Sequence, residues 1–242
     1  MKGSKGIIHS FESLGALEGK GIRFIIFFQG CHKRCIYCHN PDTWNLKGKS
    51  FSLEEVLKRI LRYRPYFKDS GGVTLSGGEC LIQEDFVLEL CQELKKHSIN
   101  ITIDTSGIAL TKKVKSIIGL VDNVIFDLKM TNEDEYQKYI KSEFNETYLF
   151  FRYLTEVEKS LTVRTVIIPG INDSEDFIER LAKILAPYKN KLKAELIPYH
   201  DYGKEKYTLS TIKYPLEDVK ILDQKCLLVL QKLLNQKLNS VI

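Results

Sequence analysis

Six short runs of β-branched and aromatic residues recur along the chain: IRFIIFF (22–28), GVTLS (72–76), NITID (100–104), NVIFDLK (123–129), LTVRTVII (161–168) and KAELIPY (193–199). Between them lie polar or glycine-rich loops and stretches with helical periodicity, near 52–63, 84–97, 111–119, 132–140 with 145–159, and 174–186. A last helical pattern runs over about 216–236. Strand–helix alternation of this kind demands parallel strands joined by right-handed crossovers. A complete eight-unit barrel takes about 250 residues. Six units with extra loops in 242 residues predict a partial (β/α)6 TIM-type barrel. The reading is one domain over 1–242, with a core over about 20–200 and the C-terminal helix packed outside it. Ser52 with Glu55 has the capping-box spacing, and Asp173 or Ser174 can cap the helix after PGIN. Cys91 falls on the apolar face of its helix, and Cys226 is assigned to the core on the same grounds.

The unusual residues cluster where the runs end. Cys31–Cys38 follow the first run, and Gly77, Gly78 and Glu79 the second. Asp104, Thr105, Ser106 and Gly107 close the third, Asp127 and Lys129 the fourth. Arg164 lies within the fifth, and Tyr199 and His200 follow the sixth. In parallel α/β folds the carboxyl edge of the strands is where sites are built, so these clusters predict one composite site.

The cysteine spacing narrows the chemistry. Cys31, Cys35 and Cys38 form Cys-x3-Cys-x2-Cys, and no further cysteine follows until Cys80. Composition at 43% hydrophobic and 28% charged is that of an ordinary globular protein. A chain of this size buries roughly 70–75% of its unfolded surface and needs no disulfide staples. The opening MKGSKGIIHSFES lacks the apolar core of a signal peptide, and FIIFF is too short to span a bilayer. These features predict a cytoplasmic protein in which clustered thiols serve metal or catalysis. A net charge of +5 without long like-charge blocks argues against a nucleic-acid tail.

Closed zinc and iron–sulfur sites normally take four protein ligands. A structural zinc site would have to recruit His32 or His39, and His39 adjoins Cys38, a poor geometry for one tetrahedral ion. A ferredoxin-like carrier would want a fourth cysteine nearby. Three thiolates can instead hold three corners of a cubane [4Fe–4S] cluster and leave the fourth iron open to a substrate. A non-catalytic metal-binding module remains the alternative from another class.

With GGE after the second run, the motif resembles the radical S-adenosylmethionine superfamily. IHSFES, GKGIRFIIFFQGC, CIYCHNPDTW, VTLSGGE, DTSG, FDLK, RTVIIPGIND and LIPYH resemble, more narrowly, the activating family of glycyl-radical enzymes, of the pyruvate formate-lyase type. The likeness runs from about residue 7 to 203. Relatives serving other glycyl-radical enzymes carry a cysteine-rich insert after the first motif, and residues 39–79 here hold no cysteine. Two departures stand out: Lys20 replaces a frequent proline, and Cys80 follows GGE where alanine or proline is common.

The resemblance implies a [4Fe–4S] cluster on Cys31, Cys35 and Cys38, with S-adenosylmethionine chelating the open iron. It implies contacts to that cosubstrate from Tyr37, Cys38, His39, Gly77, Gly78, Glu79, Asp127, Leu128, Lys129, Arg164 and His200. Alternation also places Asp127 and Lys129 on one face, where Lys129 balances the ligand's carboxylate and Asp127 meets a positive centre or a ribose hydroxyl, a structural ion pair being the alternative. Asp104, Thr105 and Ile125 are implied around a monovalent cation, sodium or potassium. No side chain beyond these ligands is assigned a catalytic step. The implied macromolecular partners are pyruvate formate-lyase, through its glycyl-radical loop, and a flavodoxin or ferredoxin as electron donor. The expectation is a monomer acting under anaerobic conditions. Cys80 is not expected to be a fourth ligand, since that would close the iron that binds the cosubstrate.

Overall fold

The computed structural model describes residues 4–16 and 18–240. The expected single domain over 1–242 includes residues 1–3, 17 and 241–242, which lie outside the described residues. Eight strands form one sheet: β1 Lys5–Gly15, β2 Arg23–Phe28, β3 Lys49–Ser52, β4 Gly72–Gly77, β5 Asn100–Thr105, β6 Asn123–Asp127, β7 Ser160–Ile167 and β8 Leu192–Pro198. Their order is β3-β1-β2-β4-β5-β6-β7-β8. From β2 to β8 all neighbours are parallel. These six strands are the six runs of the sequence, and the open, curved arrangement is a partial (β/α)6 barrel. Parallel strands covered on both faces read as unbroken apolar runs, and β2 is buried at five of its six positions.

Strands β1 and β3 were not among the expected runs. Both pair antiparallel, β1 with β2 and β3 with β1. Together they extend the sheet beyond the barrel strands.

The helices are α1 Leu53–Phe67, α2 Glu84–Lys96, α3 Lys112–Leu120, α4 Glu133–Glu135 continuing as a π-helical turn Tyr136–Ile140, α5 Phe144–Glu156, α6 Glu175–Leu185, α7 Lys204–Leu209 and α8 Gln224–Ser240. The capping box at α1 forms: Glu55 N–H donates to Ser52 Oγ at 3.3 Å, and Ser52 N–H to Glu55 Oε2 at 2.7 Å. Ser174 caps α6 by accepting from Phe177 N–H at 3.2 Å. Asp173 takes the Gly170 N–H instead, at 2.9 Å. Cys91 is fully buried in α2. Cys226 is a correction, because it is exposed. The final helix begins at Gln224, not near 216, and docks through Leu234 and Leu238, which leaves its first turn facing solvent. No helix among the described residues is long and apolar enough to cross a membrane.

At the amino end of the strands Arg23 is fully buried. It donates to Thr74 Oγ1 at 3.0 Å, to Asn100 Oδ1 at 2.9 Å and to the Val73 carbonyl. Burial without a contacting carboxylate lowers its pKa to about 10. This plug leaves the carboxyl edge as the accessible one.

Candidate active site

A cleft of about 500 Å³ opens at the carboxyl edge, a size suited to a ligand of nucleotide dimensions. Its lining draws on all six parallel strand ends and brings together Cys31, Cys35, Tyr37, Cys38, His39, Gly77, Gly78, Asp104, Thr105, Asp127, Lys129, Arg164 and His200. Glu79, Leu128 and Ile125 do not line it.

The loop after β2 is held from several sides. Gly30 N–H donates to the Thr43 carbonyl at 2.7 Å, and Cys31 N–H to the Trp44 carbonyl at 3.3 Å. Arg34 and Ile36 N–H groups reach the π-turn carbonyls of Ile140 and Tyr139 at 2.8 and 3.0 Å. Lys33, fully buried, donates to the Ser106 and Gly107 carbonyls at 2.5 and 3.0 Å and to Thr147 Oγ1 at 3.2 Å. That lysine ties the cysteine loop to the β5 exit. All three loop cysteines are free. Burial pushes the Cys31 thiol up to about 11 and raises Cys35 and Cys38 as well. A bound cationic metal reverses that preference and deprotonates a coordinating thiol.

After β4 the chain turns through Gly77 at φ +116°, a conformation that L side chains rarely adopt. At Gly78 a Cβ would lie 2.2 Å from the Gly30 carbonyl oxygen. The backbone therefore runs bare against the cysteine loop. Glu79 turns inward. Its carboxylate accepts from Thr105 Oγ1 at 2.8 Å, Ser106 N at 2.9 Å, Ser106 Oγ at 3.0 Å and Leu81 N at 3.3 Å. These bonds make it an anchor between two loops, one layer below the cleft.

The polar wall is charged. Lys129 Nζ meets Asp127 Oδ2 at 2.9 Å and lies 5.8 Å from the Tyr37 ring centroid. Burial works against the Lys129 charge, but Asp127 and then Tyr37 and Cys35 hold its pKa well above the usual value. Asp104 accepts from Ser76 Oγ at 2.8 Å. Burial, and then the charge of Asp127, pushes its carboxyl up to about 7. Arg164 Nε donates to Glu195 Oε2 at 3.3 Å. Leu128 is fully buried and offers only backbone, its carbonyl accepting from Thr165 Oγ1 at 2.8 Å. Ile125 is buried in β6.

Opposite this wall the His39 and His200 rings stack at 3.9 Å with planes 17° apart. His39 Nε2 donates to the His200 carbonyl at 3.0 Å. Burial, with His200 beside it, lowers His39 to about 4, and burial lowers His200 too, which favours the neutral form of both rings. Two buried polar atoms of the lining have no hydrogen-bond partner: Tyr37 Oη and His200 Nδ1. Buried polar groups are normally paired, and these two are groups that a ligand would satisfy.

Sequence reasoning did not name Glu18, Lys33, Asn40 or Ser76, all of which line the cleft. Lys33 sat inside the motif already under scrutiny. Glu18 lies beyond any recognised run and carried no signal.

The residues fit a cluster and a nucleotide. Among the described residues no three His, Cys, Asp or Glu side chains close on one point as ligands of a single ion do. Cys31, Cys35 and Cys38, all free, share the lining of the one cleft. His32, the zinc alternative, faces a separate groove beside α2 and pairs with Glu146 at 3.9 Å.

Comparison with known proteins agrees. The family model described as the Radical SAM superfamily matches residues 25–182, and the chain belongs to that superfamily. Among its relatives, the pyruvate formate-lyase-activating enzyme of Clostridium pasteurianum is 39% identical over 96% of this chain and 98% of its own. The pyruvate formate-lyase 1-activating enzyme of Escherichia coli K12 is 39% identical over 89% of each chain. In structure, a domain of the pyruvate-formate lyase-activating enzyme from Bacteroides vulgatus aligns with a TM-score of 0.57 and 20% identity, covering 69% of this chain and 94% of that one. A radical SAM methyltransferase from Sphaerobacter thermophilus aligns at 0.63 with 18% identity, over 89% and 64%. These structural likenesses speak to the fold.

Proposed function

We infer that the chain is an activating enzyme that installs a glycyl radical on pyruvate formate-lyase, acting as one domain. The observation that carries this reading is the cleft itself, where three free thiols stand beside unpartnered Tyr37 Oη and His200 Nδ1. When bound, a reduced [4Fe–4S] cluster would supply the electron for reductive cleavage of S-adenosylmethionine, with methionine and 5′-deoxyadenosine as products and a glycine Cα of the partner as the source of the hydrogen atom.

The protein binds, orients and excludes water. Cys31, Cys35 and Cys38 hold the cluster and supply no fourth thiolate. The bare backbone at Gly77 and Gly78 lets the methionine end approach closely. Lys129, already charged against Asp127, balances the methionine carboxylate, and Asp127 takes a positive centre or a ribose hydroxyl. Tyr37 and the neutral His39–His200 stack receive the adenosine, with Arg164 at the margin. Glu79 and Leu128 act through backbone and loop placement, because the first is saturated with protein donors and the second is core. Asp104, with Thr105, faces the same space, and a sodium or potassium ion there would relieve its repulsion from the ligand carboxylate. Under that arrangement, removing both ions weakens cosubstrate binding; unchanged affinity removes the cation. A flavodoxin or ferredoxin is the proposed electron donor, the monomer the proposed working form and the cytoplasm the proposed compartment.

The test uses pyruvate formate-lyase made with α-deuterated glycine. Mixed anaerobically with the reconstituted, reduced protein and S-adenosylmethionine, it should yield 5′-deoxyadenosine carrying deuterium. Unlabelled 5′-deoxyadenosine alone, with no radical on the partner, would count against the assignment.

A further inference from the structure

Trp44 is the chain's one tryptophan, and the roles assigned above leave it without a task. Its indole Nε1 is buried and has no hydrogen-bond partner. An N–H donor only, it cannot be satisfied by another donor, and leaving it unmade inside the protein is costly. The ring is not free to turn away. The Arg34 guanidinium lies 5.0 Å from its centroid, and Tyr207 meets it edge-on at 6.0 Å. Its backbone is fixed too, the N–H on the Pro41 carbonyl at 3.2 Å and the carbonyl on Cys31 N–H at 3.3 Å. Its backbone is thereby bonded to the cysteine loop, and its side chain lies close enough to the Cys38 thiol to act on it as a donor, lowering it against the larger effect of burial.

We propose that the Trp44 indole N–H donates a hydrogen bond to the Cys38 sulfur once that sulfur is a cluster ligand, and so sets the cluster's reduction potential. The proposal rests on the cluster assignment made above. A thiolate on iron is a far better acceptor than a thiol, so loading the cluster satisfies the orphaned donor. Hydrogen bonds to the sulfurs of an iron–sulfur cluster are among the determinants of its potential. A donor stabilises the more negative, reduced state and makes the electron easier to accept. Arg34, over the ring and bonded through Nη1 to the Cys31 and Lys33 carbonyls, helps to keep the indole in place.

Because the tryptophan is unique, indole-15N labelling marks one atom. Pulsed electron–nuclear double resonance on the reduced, reconstituted protein should show a 15N coupling to the cluster spin. A Trp44→Phe variant keeps the ring packing and removes the donor. At a fixed solution potential its ratio of reduced to oxidised cluster should fall about tenfold, equivalent to 59 mV for a one-electron couple, with iron content unchanged. If Trp44→Phe fails to assemble, replacement by the isosteric benzothienyl-alanine makes the same comparison. A full, reducible cluster with no 15N coupling, or with an unshifted potential in the variant, overturns the proposal alone. Wild-type protein that assembles no cluster under anaerobic reconstitution overturns the underlying assignment as well.

Discussion

The Cys80 thiol lies fully buried, 3.7 Å from the Leu75 carbonyl and 3.9 Å from that of Asp104. It sits just beyond the glycine turn, yet it faces strand backbone and not the cleft. Burial raises its pKa well above the ordinary value, as for an inert core thiol. Cys80→Ala should therefore retain full iron and visible absorption after anaerobic reconstitution, at a cost of about 1 kcal/mol in stability from the small void. Alanine at Cys31, Cys35 or Cys38 should lose the cluster. Asp104 makes a second prediction at this scale. Its folded pKa of about 7 lies above the ordinary 3.8, so between those values the folded protein keeps a proton that the unfolded chain has released. Asp104's contribution to the stability of the metal-free protein is then fully present below about pH 4 and is lost as pH rises towards 7. Asp104→Asn should flatten that decline in a series of melting curves, and an unchanged slope would remove Asp104 as its source.

Glu79 shows how the elements assemble the site. Four donors from the β4 and β5 exits converge on its carboxylate. Removing it strands buried donors at roughly 1–3 kcal/mol each. Glu79→Ala should lose at least about 4 kcal/mol in urea unfolding of the metal-free protein, with no ligand present. Were Glu79 only a ligand contact, that measurement would not move. From sequence the residue reads as part of a binding motif, because nothing local reveals that three of its four donors come from Thr105 and Ser106, more than twenty positions away. The six barrel strands were legible because both of their faces are covered and the apolar runs are unbroken. β1 was not. Its register against β2 shifts twice, and most of its length is exposed or half-buried, so the alternation is lost. β3 is four residues long, too short for a pattern. Cys226 was misplaced because an apolar-looking helix end was assumed to pack, while only Leu234 and Leu238 of α8 are buried.

At the scale of the whole molecule, the sheet separates two ends. Arg23 and its acceptors fill the amino end, and every implied cosubstrate residue that reaches the cleft does so from the carboxyl end. Topology alone made this legible: parallel strands deliver their exit loops to one edge, so residues far apart in the chain converge without a local signal. What stayed hidden was which of them face the cleft. The chain invests three thiols where a closed site would use four, and the account stands on that missing ligand. Mössbauer spectroscopy of 57Fe-reconstituted protein, with and without S-adenosylmethionine, addresses it directly. The account predicts that adding the cosubstrate changes the parameters of one iron and leaves the other three as they were. Four irons unaltered by saturating cosubstrate, in a fully assembled cluster, would contradict it.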